Sequence, residues 1–254
     1  MKYYAGLDIG KLHASCAAEA FRKYKFKYCL VSFYYLSKAS PERIEEALEL
    51  YSWPEPGQEI LLDSGAFSMM MAHKKGKLKS EFNLDKYVED YAAFIKKYRK
   101  YFTHFFELDI QSVVGEKEYA RLRDKLIKLV GEEPTLVWHI FDPIQKFADY
   151  CQHVGPGGFF AIGGVAGSGL TNCHDVARLM RELVWYARAR DVHIHGLGIT
   201  SKLARYIDFD SVDSFTYIKP VTSVPEFIRA YGYYRGHMIS NAVAKLNQLI
   251  WDTF

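Results

Sequence analysis

Three aspartates in this 254-residue chain follow short apolar runs, where a carboxylate could do acid/base or nucleophilic chemistry. The run 59–62 ends at Asp63, and similar runs lead to Asp109 and Asp213. A carboxylate at the end of a buried strand is costly to desolvate, so its usual purpose is chemistry or a partner. Two or more such groups in one pocket suit proton transfer or a covalent glycosyl intermediate.

Other strand ends offer groups that could hold a flat ligand. His139 could hydrogen-bond a base edge through its neutral ring, and Phe67 could stack on a base. Glycines let bare backbone approach a ligand closely. The small or glycine positions in question are Ser64, Gly65, Gly163 and Gly164, together with the phrase Gly196, Leu197 and Gly198.

Structural interpretations of the same residues remain open. Asp63 could cap the following helix, Asp109 could serve a loop, and His139 could be a hydrogen-bonded core group. Asp208 and Asp210 lie close to Asp213 in sequence, which leaves the strand register there undecided.

A basic run without any acid, residues 73–79, follows Asp63 by a short connection. Such a run is either a solvated face or a set of phosphate contacts. We expect it on the same face as the pocket that holds Asp63, and so to contact a nucleic-acid backbone. Its lysines are Lys74, Lys75, Lys77 and Lys79.

The bulk composition predicts a soluble, cytoplasmic protein with no membrane partner. Hydrophobic residues make up 49% of the chain, the net charge is +3, and the N-terminus lacks a signal-peptide core. Cys16, Cys29, Cys151 and Cys173 form no C-x-x-C pair and no zinc-ligand spacing, which predicts reduced, mostly buried thiols and no metal site.

Apolar runs alternate with amphipathic helical stretches, which predicts parallel βα units. Eight runs favour a (β/α)8 TIM-type barrel, α/β in class, over an open doubly wound sheet. We expect a single domain over residues 1–254. The predicted strands are Tyr3 to Asp8, Tyr28 to Tyr35, Glu59 to Asp63, His104 to Asp109, Thr135 to Ile140, Phe159 to Gly163, Val192 to Leu197 and Val212 to Tyr217.

Capping signals and apolar spacing predict the helices between these strands. Ser40 with Pro41 starts one helix, and Asn83 starts another. Further helices are predicted over Tyr119 to Val130, Ile144 to Val154, Val176 to Ala189 and Ala242 to Trp251.

Four phrases in order resemble the tRNA-guanine transglycosylase superfamily. They are Asp63-Ser64-Gly65-Ala66-Phe67, Ala161-Ile162-Gly163-Gly164, His195-Gly196-Leu197-Gly198 and Val212-Asp213-Ser214. The phrases Val137-Trp138-His139 and Val212-Asp213-Ser214-Phe215-Thr216-Tyr217 look most like the short phage-type branch (DpdA), which places 7-deazaguanines in DNA.

The resemblance implies a base-exchange glycosyltransferase, a pentosyltransferase that replaces guanine with a 7-deazaguanine derivative and leaves the backbone intact. It implies Asp213 as the nucleophile on the sugar C1′ and Asp63 as the residue that handles protons on the bases. In the tRNA enzymes the nucleophile falls three residues later, where this chain has Thr216. Further matches to base-holding positions are Asp109, His139, Gly163, Gly164, Gly196, Leu197 and Gly198.

The partners implied are nucleic acid and a free 7-deazaguanine base, with no cofactor and a phage or prokaryotic origin. The zinc element of the tRNA enzymes has no counterpart, since no cysteine follows Cys173, and this favours DNA over tRNA. A tRNA enzyme, a non-catalytic nucleic-acid-binding barrel and a metal-assisted small-molecule hydrolase remain alternatives. The oligomeric state stays open, with a homodimer as one option.

Overall fold

Strands and helices alternate along the chain, as the apolar pattern predicts. The computed structural model describes residues 1–7, 27–52, 58–74, 83–164, 174–199 and 206–214. The strands in this part of the chain are β1 (Lys2–Leu7), β2 (Tyr28–Ser32), β3 (Glu59–Asp63), β4 (His104–Phe105), β5 (Val137–His139), β6 (Phe159–Gly163), β7 (His193–Gly196) and β8 (Ser211–Ser214).

The helices follow the strands in sequence. They are α1 (Phe33–Leu36), α2 (Pro41–Tyr51), α3 (Ala66–Lys74), α4 (Leu84–Tyr98), α5 (Gln111–Val114), α6 (Glu116–Val130), α7 (Ile144–Val154) and α8 (His174–Arg188), with a 3-10 turn at Arg99–Tyr101.

The strand order in the sheet is β4-β3-β2-β1-β8-β7-β6-β5. The chain divides into two compact units, which are described separately below. The central unit is Leu30–Thr135, and the terminal unit contains Met1–Leu7, residues 27–29 and the chain from Leu136 onward.

In the central unit, β3 and β4 are parallel, with Leu61 opposite His104 and Leu62 opposite Phe105. A parallel bridge between Phe106 and Thr135 continues the ladder past β4. The buried faces of α4 and α6 follow helical spacing, which explains why these sequences form helices that cover a core. Their fully buried residues are Val88, Tyr91, Ile95, Leu122 and Leu126.

In the terminal unit, β1, β8, β7, β6 and β5 pair in parallel as neighbours. His195 on β7 stands opposite Ser211 on β8, and Tyr4 on β1 stands opposite Asp213. The core between these strands and helices α7 and α8 is apolar and aromatic. It includes Trp138, Phe147, Phe160, Ile162, Met180, Val184 and Phe209.

Several predicted elements are confirmed in detail. Strands β3 and β6 and helix α7 have the predicted bounds. The Ser40 hydroxyl caps α2 by accepting from the amide of Arg43 at 3.4 Å, and the Asn83 side chain caps α4 by accepting from the amide of Lys86 at 3.0 Å.

Two predicted strands extend three or four residues too far at their C-terminal ends. The strand predicted over Tyr28 to Tyr35 ends at Ser32, because Phe33 begins α1 and its ring packs on Tyr87 and Tyr91. The strand predicted over His104 to Asp109 ends at Phe105. Asp109 has φ +48°, a left-handed conformation that a strand excludes.

Other boundaries shift by one to three residues, and some predictions lie outside the described residues. The strand predicted over Thr135 to Ile140 spans Val137–His139, and α6 begins at Glu116 rather than Tyr119. The helix predicted over Ala242 to Trp251 lies outside the described residues, as do Cys16 and Cys173. Both described cysteines, Cys29 and Cys151, are buried thiols.

No helix among the described residues is long and apolar enough to cross a membrane.

Candidate active site

Asp213, the predicted nucleophile, lies on β8 in the terminal unit and is 3% exposed. Its Oδ1 accepts a 2.7 Å hydrogen bond from the backbone amide of Gly198. The Nε2 atom of His195 lies 3.3 Å from the same oxygen. Both contacts fall on Oδ1, and none of the described residues hydrogen-bonds Oδ2.

The imidazole of His195 is fully buried between two polar groups of the neighbouring strand. Its Nδ1 lies 2.8 Å from the hydroxyl oxygen of Ser211, opposite the contact to Asp213. Ser211 and Asp213 are two residues apart on β8, so their side chains project from the same face. The ring of Tyr4 packs edge-on against the imidazole at 5.6 Å between centroids.

Asp208 and Asp210, the acidic neighbours of Asp213 in sequence, make their contacts at the amino end of β8. Asp210 comes just before β8, where its Oδ2 accepts from the amide of Ile194 at 2.8 Å. Its Oδ1 lies 3.5 Å from Nδ1 of His193 and 3.8 Å from a guanidinium nitrogen of Arg188. Asp208, at φ +60°, also pairs with Arg188. The sequence did not decide which of these three aspartates lies at the candidate site. The structure shows that Asp213 is the one beside His195.

The two glycines at the end of β7 have different roles: Gly196 leaves space for the core, and Gly198 directs its amide toward Asp213. A side chain at Gly196 would meet Ile199 at 2.9 Å and Val212 at 3.2 Å, so this glycine is required by the core. The amide of Leu197 bonds the carbonyl of Ile162 at 2.9 Å, and Gly198 turns with φ +62°. The turn thereby aims the Gly198 amide at Asp213.

His139 and the glycine pair after β6 lie together. His139 pairs with Gly163 across the ladder, and a side chain at Gly163 would stand 3.7 Å from Nε2 of His139. Asp142 accepts from the His139 amide at 3.0 Å. Burial lowers the pKa of His139 below its usual value, against the opposing effect of Asp142, and Lys146 lowers it further. Gly164 follows with φ +81°.

In the central unit, Asp63 ends β3 next to two tyrosines of α4. The hydroxyl of Tyr87 donates to the carbonyl of Ser64 at 2.6 Å, and that of Tyr91 donates to the carbonyl of Phe106 at 2.9 Å. Burial raises the pKa of both phenols, and the charge of Asp63 raises it further. Both tyrosines therefore stay neutral donors beside Asp63.

The residues after Asp63 turn sharply into α3. Ser64 is fully buried, and its hydroxyl accepts from the amide of Ala66 at 3.4 Å. Gly65 has φ +65°, and a side chain there would lie 2.4 Å from the Ser32 hydroxyl and 2.5 Å from Cβ of Tyr34. Packing alone thus requires glycine at this position. Phe67, in the first turn of α3, is 47% exposed.

The stretch after β4 holds a buried carboxylate that the sequence analysis did not select. Glu107 is 1% exposed, accepts a hydrogen bond from the Tyr119 hydroxyl and lies 3.6 Å from Nε of Arg123. These two partners are on α6, so Glu107 connects the stretch after β4 to that helix. Asp109 follows in its left-handed conformation, and a non-glycine residue held there costs about 1 to 3 kcal/mol.

The predicted nucleic-acid lysines fall at the edge of what the structure describes. Lys74 is the last residue of α3, and Lys75, Lys77 and Lys79 lie outside the described residues. Within the described ranges, no group of three or more His, Cys, Asp or Glu side chains is arranged to hold a metal ion.

The structure thus brings together Asp213 and Gly198, and separately His139 and the pair Gly163 and Gly164. Sequence reasoning overlooked His195 and Ser211 as individual site residues. The signal was present: polar residues at a period of two interrupt two apolar strands, at His193 and His195 and at Ser211 and Asp213.

Comparison with known proteins supports the fold. No family model matches the chain, and no curated protein matches it. Among solved structures, a candidate fructose-1,6-biphosphate aldolase from Coccidioides immitis has a TM-score of 0.60 at 12% identity, covering 99% of this chain and 90% of the other. A mutant tryptophan synthase α subunit from Pyrococcus furiosus has a TM-score of 0.50 at 10% identity, covering 96% and 98%.

These likenesses confirm the predicted (β/α)8 TIM-type fold class. Both of these proteins are enzymes, and at such identities the likeness shows the fold alone.

Proposed function

We propose that this chain is a glycosyltransferase that exchanges guanine for a 7-deazaguanine in nucleic acid, with DNA favoured over tRNA. The observation that carries the proposal is the environment of Asp213. A carboxylate at the carboxyl end of a barrel strand lies where such folds place their chemistry. One of its oxygens is fixed by the Gly198 amide and lies beside His195, so the other is available to a reacting atom.

In the first half-reaction, Oδ2 of Asp213 attacks C1′ of the sugar. The bond from C1′ to the guanine nitrogen breaks, and its electron pair leaves with the base. A proton must reach the base for guanine to depart neutral. We assign that proton to Asp63 in its protonated form on the strength of the resemblance, and the neutral phenols of Tyr87 and Tyr91 lie near its carboxyl group.

The second half-reaction reverses these events with a different base. The incoming 7-deazaguanine gives its ring N–H proton to Asp63, and the ring nitrogen attacks C1′. The bond between C1′ and Oδ2 breaks, and its electrons restore the Asp213 carboxylate. The backbone is never cut, and no external oxidant or cofactor is consumed.

The choice of nucleic acid also comes from the resemblance. The phrases around His139 and Asp213 look like the DNA branch of the family. A target base within a duplex has to be flipped out of the stack at a cost of a few kcal/mol, about what backbone contacts can offset.

Release of labelled guanine tests the proposal directly. The full chain is incubated with DNA carrying labelled guanine and an unlabelled 7-deazaguanine, with tRNA in a parallel reaction. We expect release from DNA, and a covalent adduct on Asp213 seen by mass spectrometry after denaturation. Asp213→Asn should lower the exchange rate by at least about a thousandfold.

Asp210→Asn is the matched control, because it changes an aspartate at the opposite end of the same strand. It should retain exchange. Release from tRNA alone would redirect the proposal to the tRNA enzymes. Binding of nucleic acid without release from either substrate would instead support a non-catalytic barrel.

A further inference from the structure

His195 touches the proposed nucleophile but has no part in the mechanism above. It is buried on β7, with Ser211 against one ring nitrogen and Asp213 against the other. A buried histidine with a specific partner at each nitrogen is held in one orientation, and its partners decide which nitrogen carries the proton.

We propose that Ser211 and His195 form a positioning relay that selects Oδ2 of Asp213 as the attacking atom. This inference rests on the proposed function for its kinetic consequence, but its central statement concerns the protein alone. The relay requires the neutral tautomer with hydrogen on Nε2, donating to Asp213.

The tautomer follows from the donor inventory. An ionised carboxylate can only accept, so a hydrogen bond across the 3.3 Å to Oδ1 needs a proton on Nε2 of His195. In a neutral ring Nδ1 is then an acceptor. A serine hydroxyl can donate, and the hydroxyl of Ser211 stands 2.8 Å from Nδ1. The chain of donation therefore runs from Ser211 through His195 to Asp213.

The relay and the Gly198 amide converge on the same oxygen. Two donors on Oδ1 hold the carboxylate plane fixed and concentrate negative charge there. When Oδ2 bonds to C1′, Oδ1 becomes the ester carbonyl oxygen and keeps both donors. When the ester breaks, the same donors stabilise the returning charge, as preorganised donors do at an oxyanion.

Register supplies the geometry that makes this possible. His195 is directly opposite Ser211 in the β7–β8 ladder, and Asp213 lies two residues further on the same face. The edge-on ring of Tyr4 blocks one side of the imidazole. Rotation of the ring about its Cβ–Cγ bond is thereby restricted.

Nitrogen NMR of the labelled full chain, without substrate, tests the tautomer. We expect His195 to show a protonated Nε2 and an unprotonated Nδ1. In Ser211→Ala the proton should stay on Nε2, which still faces Asp213, while the Nδ1 resonance should shift because its hydroxyl donor is lost. A wild-type ring protonated on Nδ1 alone, or on both nitrogens, would overturn the inference.

Kinetics then test the consequence. His195→Leu removes the donor at similar volume and should lower the rate of adduct formation by about a hundredfold to a thousandfold. His195→Gln can place an amide donor near the Nε2 position and should restore the rate to within about tenfold of wild type. Equal rates for the leucine variant and the wild type would also overturn the inference.

The two proposals fail in different ways. If the wild type shows the expected tautomer but releases no guanine, the proposed function is wrong and the relay stands. If exchange proceeds but the tautomer differs, the relay is wrong and the function stands. Circular dichroism of His195→Leu identifies a loss of rate that comes from unfolding.

Discussion

The amide of Gly198 donates a 2.7 Å hydrogen bond to Oδ1 of Asp213, and this contact fixes the turn after β7 against the side chain on β8. The turn needs the left-handed φ of +62° at Gly198 to point its amide in that direction. The glycine is therefore part of the site through its backbone, and a motif that could be taken for a flexible loop is a rigid donor.

The hydroxyls of Tyr87 and Tyr91 support the strand ends next to Asp63. Tyr87→Phe should lower the free energy of unfolding by about 1 kcal/mol, because the carbonyl of Ser64 loses its donor. Tyr91→Phe should act similarly through the carbonyl of Phe106. Urea unfolding measures both, and equal stability of either variant and wild type would contradict the prediction. Tyr101→Phe, on the 3-10 turn, is the control and should change stability little.

Gly65 is required by both conformation and space. Gly131 shares the positive φ, but a side chain there would meet nothing within 4 Å. Gly131→Ala should cost about 1 to 2 kcal/mol from conformation alone. Gly65→Ala should cost a further 1 to 3 kcal/mol, about the usual overpacking penalty. Guanidinium unfolding of the two variants measures the difference, and equal losses would show that the neighbours of Gly65 yield freely.

Glu107 is the buried carboxylate whose removal should be most damaging to the central unit. Glu107→Ala leaves Arg123 and the hydroxyl of Tyr119 without their shared partner and should cost about 3 to 5 kcal/mol. Glu118→Ala, which breaks an exposed pair with Arg121 on the same helix, should have little effect because water screens that pair. Thermal and urea unfolding compare the two, and a similar small loss in both would refute a structural role for Glu107.

The lowered pKa of His139 makes stability depend on pH. As the pH falls through 6.5, the usual pKa of histidine, His139 binds a proton in the unfolded chain. In the folded chain it binds that proton only at a lower pH, because its pKa is depressed. The free energy of unfolding should therefore fall between pH 6.5 and the depressed pKa. It should be unaffected by this group above that range. Unfolding of wild type and His139→Gln across this range tests the assignment, and parallel curves would disprove it.

If the basic run 73–79 contacts a nucleic-acid backbone, binding of nucleic acid should weaken as the salt concentration rises. Replacing Lys74, Lys75, Lys77 and Lys79 with alanine should weaken binding to all sequences alike. If each contacts one phosphate of duplex DNA, the slope of log affinity against log salt should decrease by about 3 to 4. Fluorescence anisotropy at several salt concentrations measures the slope. Alanine at Lys96 and Lys97, exposed on α4, is the control, and a decrease of about 2 there, the full value for two phosphate contacts, would remove the special role of the first run.

Local sequence determined much of the fold. The caps at Ser40 and Asn83, the helix over Ile144–Val154 and the strands Glu59–Asp63 and Phe159–Gly163 lie where their sequences predict. Capping and apolar period act within a few residues, so they can be read from a single segment. The aromatic run after Ser32 was wrongly predicted to continue the strand. Phe33 begins a helix instead, because its tertiary packing outweighs the local preference for a strand.

The candidate site was predictable only in part. The sequence by itself singled out Asp213 and the glycines that turn the backbone near it. Only the tertiary structure showed that His195 and Ser211 lie against each other and beside Asp213, and that Asp210 faces away to Arg188 and His193. These relations depend on the register between β7 and β8, which places His195 opposite Ser211, 16 residues further along the chain. That register is fixed by the packing of the whole sheet and not by any local pattern.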